Sequence, residues 1–120
     1  MTNGERAKQI INKYGFDFNN ISKNEVIELI QNEIVNYQTG SSEYIRLLCG
    51  YLYCLGDVSD VSLLEKAKYG INMDVGCMID GEWIESLKNG GCKTQYTNSR
   101  QEIIDGFISY YQDFQPEDEW

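Results

Sequence analysis

The chain of 120 residues has no histidine, a single proline, and only ten lysines and arginines against nineteen aspartates and glutamates. Each scarcity removes a class of function. Without histidine the usual general base is missing, which excludes Ser-His-Asp, Cys-His and imidazole-metal chemistry. With one proline and no serine/glycine tract, nothing marks a linker, so one domain over residues 1–120 is predicted. No apolar run approaches the roughly 20 residues that span a bilayer. The opening MTNGERAKQIINKYG lacks the apolar stretch of a secretory signal. The shortage of bases leaves a net charge of −9, which argues against binding to phosphate polymers or anionic lipid. What remains is 42% hydrophobic, enough to build a core without staples. The expectation is a soluble, acidic, cytoplasmic protein with no affinity for nucleic acid or membrane.

Four cysteines are present, Cys49, Cys54, Cys77 and Cys92, with no C-x-x-C spacing. Cys49 and Cys54 stand five apart on one predicted helix, roughly 140° apart around its axis, which cannot close a disulfide. They read as reduced thiols acting as small apolar residues. No metal and no cofactor is expected.

Hydrophobic spacing is helical nearly throughout. Ala7, Ile10, Ile11 and Tyr14 share one face of a helix from Glu5 to Tyr14, closed by Gly15. Phe16 and Phe18 follow as anchors under the domain. Ser22 with Glu25 has the form of a capping box for a second helix reaching about Tyr37. A third, about Ser42 to Leu55, is apolar almost all round and therefore central. Gly50 inside it costs about 1 kcal/mol relative to alanine, so a close helix crossing is expected there. Asp57 or Ser59 starts a short helix to Gly70, and Asp80 caps another from Gly81 to about Lys88. Residues 91–98 read as a polar loop. Asn98 or Ser99 then begins the last helix, whose stripe is Ile103, Ile104, Phe107, Ile108 and Tyr111. The predicted fold is all-α: a single domain of about six helices packed as stacked helical hairpins.

Charge is unevenly spread. Residues 57–85 carry a net −5 and residues 102–120 a net −6, while residues 86–101 hold three bases and no acid. Such runs are either solvated faces or an acidic surface shaped for a basic partner. The end, residues 115–120, reads as a frayed acidic tail.

Several motifs fail on inspection. Counting Asp74 as the first ligand of a calcium loop puts Asp80 seventh and Glu85 twelfth. Gly76 and Met78 then fall at ligand places, and Ile79 replaces the required glycine. Asp74, Asp80, Glu82 and Glu85 could pair as glycosidase carboxylates, but a small helical domain offers little cleft for a sugar. The glycine pairs lack the lysine and spacing of a phosphate loop. Trp83, four from both Ile79 and Leu87, reads as core or as an apolar anchor.

One stretch is more specific: Tyr51-Leu52-Tyr53-Cys54-Leu55-Gly56-Asp57, then Asp60, Leu63-Leu64, Ala67-Lys68, Asp74 and Ile79-Asp80-Gly81-Glu82-Trp83-Ile84. It resembles small all-helical immunity proteins of bacterial polymorphic-toxin and contact-dependent growth inhibition systems, over about residues 47–87. The resemblance implies a non-enzymatic antitoxin that neutralises a cognate toxin domain, often a nuclease, by occluding its active site or substrate surface. An acidic protein suits that task, because a nuclease must be positive where it holds phosphates. The expected contact residues are Asp57, Asp60, Asp74, Glu82 and Glu85, with Trp83 as anchor. Asp57 and Asp80 also sit where helix N-caps belong, and Lys68 is placed to neutralise Asp74 or the helix end at Gly70. The alternative is an acidic helical adaptor or regulatory subunit that binds a basic host protein, and a carboxylate hydrolase ranks last.

Ligand spacing and disulfide geometry are both absent from the sequence, so folding should need neither metal nor oxidant. Thermal melts with and without chelator and reductant are expected to coincide. A drop above about 5 °C, roughly a kcal/mol for a domain this size, would contradict this.

Overall fold

A computed structural model describes residues 1–116 of the chain. Among these residues the secondary structure is entirely helical. The helices are α1 (Asn3–Tyr14), α2 (Lys23–Val35), α3 (Glu43–Leu55), α4 (Val61–Gly70), α5 (Met73–Met78), α6 (Gly81–Lys88) and α7 (Arg100–Gln112). Short 3-10 turns at Phe18–Asn20 and Val58–Asp60 lead into α2 and α4. The all-α expectation holds, with seven helices instead of about six. The addition is α5, which is too short to show a periodic stripe. Consecutive helices pair, α2 with α3 and α4 with α5, and α3 also packs on α1 and α6.

Start signals act locally. Thr2 with Glu5 and Ser99 with Glu102 make complete capping boxes at α1 and α7. At α2 the Ser22 side chain accepts from the Glu25 N–H, but the box stays half-closed because the Glu25 carboxylate instead takes the Tyr14 hydroxyl. No helix is long and apolar enough to cross a membrane among the described residues.

The core is built around α3, ten of whose thirteen residues are buried. Phe16 and Phe18 anchor the α1–α2 connection by packing on Tyr51, with ring centroids 6.3 and 6.2 Å away. A helix buried on every side must have its polar atoms satisfied from within. The Tyr51 hydroxyl donates to the Gly15 carbonyl at 2.7 Å, and the Tyr53 hydroxyl meets Ser86 Oγ at 2.6 Å. Buried Glu33 on α2 takes a bidentate pair from Arg6 on α1, at 2.6 and 2.9 Å.

The close crossing expected at Gly50 is with α7. A Cβ on Gly50 would lie 2.0 Å from Phe107 Cε1. That ring is held by Tyr51, Trp83 and Tyr111, with centroids 5.8, 5.9 and 5.2 Å away, so it has nowhere to retreat. Gly106, one residue away on α7, is the converse: a Cβ there meets nothing within 4 Å.

These two glycines should respond with opposite sign. Gly50→Ala is expected to cost about 2 kcal/mol by overpacking. Gly106→Ala is expected to gain up to about 1 kcal/mol from helix propensity. Urea unfolding of both variants reads this directly, and a neutral Gly50→Ala would contradict the close crossing.

Candidate functional site

The expected contact residues do not form one group. Asp57 caps the turn that leads into α4, accepting from the Ser59 N–H and hydroxyl at 2.8 and 2.5 Å. Its carboxyl is held below the usual range first by the Ser59 hydroxyl and then by the Ser59 N–H. Asp57 is exposed, yet its side chain is occupied by the fold. Asp60 is only 7% exposed: it receives the Asp57 N–H at 2.9 Å and ion-pairs with Lys23 of α2 at 2.7 Å. Trp83 is 3% exposed, stacked on Tyr53 at 6.4 Å and edge-on to Phe107 at 5.9 Å. As surface contacts these two expectations are corrected. Asp60 is a buried partner for Lys23, and Trp83 is core. Asp74 is exposed in the first turn of α5. Glu82 and Glu85 remain together on α6.

Lys68 is also placed differently from expectation. Its ammonium binds the carbonyls of Gly76 and Ile79, so it closes the end of α5 and does not neutralise Asp74 or the end of its own helix. The acids counted for a calcium loop fall on two helices, with Asp74 on α5 and Asp80 capping α6 through the Glu82 N–H at 2.9 Å. No group of three or more metal-ligating side chains comes together among the described residues.

The acids that do converge are those at the start of α6 and the start of α7. Asp80, Glu82 and Glu102 line one hollow of about 260 Å³ between these helices, together with Arg46 and Tyr110. Arg46 is fixed in its wall: Nε donates to the Met78 carbonyl at 3.2 Å, and the guanidinium lies 4.1 Å from the Tyr110 centroid. Its Nη1 is buried with no hydrogen-bond partner and relies on the surrounding rings. On the other side of Glu82 a second hollow of about 480 Å³ is lined by Glu82, Glu85, Lys88, Thr94, Tyr96 and Thr97, among others. Glu82 forms the wall between the two hollows. Its Oε2 accepts from the Asn98 N–H at 2.9 Å and from Asn98 Nδ2 at 3.2 Å, which ties the loop to α6.

The bases of residues 86–101 are all engaged by the fold. The Arg100 guanidinium donates to the carbonyls of Tyr53, Cys54 and Gly56 at 3.1, 2.9 and 3.2 Å, satisfying the C-terminal end of α3. Lys93 pairs with Glu102 at 3.3 Å and Lys88 with Glu85 at 3.7 Å. Of the three, Arg100 is turned into the fold, while Lys88 and Lys93 stay exposed in surface pairs.

Sequence reasoning missed Tyr96, which is 84% exposed on the loop between α6 and α7. Beneath it the loop is knotted: the Thr94 N–H donates to the Thr97 carbonyl at 2.8 Å, and Thr94 Oγ1 accepts from the N–H groups of Tyr96 and Thr97. The Thr97 hydroxyl is buried and takes Asn89 Nδ2 at 3.1 Å. Gly90 and Gly91 start the loop at φ values of 76° and 80°, which side-chain-bearing residues rarely adopt. The Thr-x-x-Thr spacing after Gly-Gly was the one sequence signal for an ordered loop.

Compared with protein-family models, with curated proteins and with solved structures, the chain matches none.

The thiols divide into two classes. Burial pushes Cys49 and Cys54 up to about 12, so both stay protonated and inert near neutral pH. Cys77 and Cys92 are exposed. In the native protein a thiol-labelling reagent should therefore modify Cys77 and Cys92 quickly and reach Cys49 and Cys54 only on unfolding. Rapid labelling of all four would contradict the packing of α3.

Proposed function

We propose that this protein is an antitoxin: a non-enzymatic inhibitor that covers the basic, phosphate-binding surface of a toxin domain. The observation that carries the reading is the group of carboxylates gathered where α6 and α7 begin. Asp80, Glu82 and Glu102 line one hollow and Glu85 the next. Lys88 and Lys93 meet Glu85 and Glu102 only in exposed surface pairs that a basic partner can displace, and Arg100 is turned inward to cap α3. A nuclease surface shaped for phosphates is complementary to such a field, and binding here would shut out the substrate. The resemblance of residues 47–87 to immunity proteins supports the same reading and favours it over a host adaptor. The two hollows offer places for projecting side chains, as a specific interface requires.

The test takes the product of the reading frame next to this gene and asks whether it is toxic when expressed alone. Co-expression should rescue growth, and the purified pair should form a stable complex. Steering by the carboxylates should weaken with salt. The double variant Glu82→Gln with Glu85→Lys is expected to slow association about tenfold at low salt and less at high salt. Asp74→Lys, placed on α5, should slow it less. Equal effects from both, or none, would contradict the surface, provided circular dichroism shows both variants folded.

A further inference from the structure

We propose that the larger hollow, under Tyr96, is a receptor for one arginine side chain of the partner. This rests on the reading of the α6 face as the contact surface. Its geometry is specific. Glu82, Glu85 and Tyr96 all line one hollow of about 480 Å³. Glu82 is oriented by the Asn98 bonds to its Oε2, so it is a fixed acceptor. Tyr96 is 84% exposed on a loop ordered by the hydrogen bonds of Thr94 and buried Thr97. The fold therefore keeps a large aromatic ring in water at the mouth of an acidic hollow.

A guanidinium satisfies all three groups at once. Its plane can lie on the ring face while its edge donates to carboxylates. A compact ammonium can meet the carboxylates or the ring, but it lacks the fork that does both. An anion is disfavoured, because two carboxylates outnumber the single ammonium of Lys88. That ammonium forms only a loose, exposed pair with Glu85 at 3.7 Å, which an incoming guanidinium can displace. Elsewhere in the same molecule Arg46 shows the ring half of this arrangement, its guanidinium 4.1 Å from the Tyr110 centroid.

The probe is N-acetylarginine amide, titrated into the isotope-labelled full chain and followed by amide chemical shifts. Saturable millimolar binding is expected, with shifts at Glu85, Asn89, Tyr96 and Thr97. N-acetylcitrulline amide, which has the same shape without the charge, should bind about tenfold more weakly. Tyr96→Ala should abolish the response and Tyr96→Phe should keep it. Because the ring is exposed, both variants should melt like the parent. In the complex with a toxin domain that the chain captures, Tyr96→Ala is expected to raise Kd about thirtyfold or more. Equal binding of the citrulline probe, or an undiminished response in Tyr96→Ala, would overturn the receptor. Capture of the domain with unchanged affinity by Tyr96→Ala would overturn it while leaving the antitoxin reading intact. Arginine binding without capture of any such domain would uphold the hollow and remove the antitoxin reading.

Discussion

The structure depends on one constraint: α3 is buried at ten of its thirteen positions and keeps almost no face for water. A helix buried on all sides cannot leave its terminal carbonyls or its tyrosine hydroxyls to solvent, so other elements must reach them. Arg100 comes from the start of α7 to take the carbonyls of Tyr53, Cys54 and Gly56. Ser86 of α6 and the Gly15 carbonyl meet the tyrosine hydroxyls. Gly50 lets Phe107 press against the helix backbone. These contacts settle where α6 and α7 lie, and with them the loop between the two.

The same constraint sorts the charge. Bases are drawn inward to serve the fold: Arg6 to buried Glu33, Lys23 to buried Asp60, Lys68 to the end of α5, Arg100 to the end of α3. Asp57, Asp74 and Asp80, at the starts of helical segments, remain on the outside, where they favour the positive ends of the helices. In this chain of net charge −9, Asp80, Glu82 and Glu102 meet where α6 and α7 begin. The surface field follows from the way the core is capped.

Much of this was legible in the sequence, and the exceptions have physical reasons. Helix starts were readable at Asp80 and Ser99 because a cap is a local bond, and Gly50 was readable because glycine within a greasy helix demands a close neighbour. Helix α5 escaped because its six residues carry no stripe and its end is closed by Lys68, reaching over from α4. Asp60 looked like one more acid in a run, since its partner Lys23 lies on a helix far back in the chain. Trp83 stood undecided between core and surface until Tyr53 and Phe107 were seen to sandwich it. Tyr96 was hidden for the opposite reason, because exposure of an aromatic ring is a tertiary property that no spacing records. The expected acidic tail lies, from residue 117 onward, outside the described residues.

The account's central claim is that the face made by α6, its following loop and the start of α7 is the surface that meets a basic partner. Hydrogen–deuterium exchange of the chain, alone and in complex with a toxin domain that it captures, tests this most directly. The account predicts added protection within residues 80–105, strongest in the loop around Tyr96, with α2 unchanged. Protection confined to α1 and α2, with the loop exchanging as in the free chain, would contradict it.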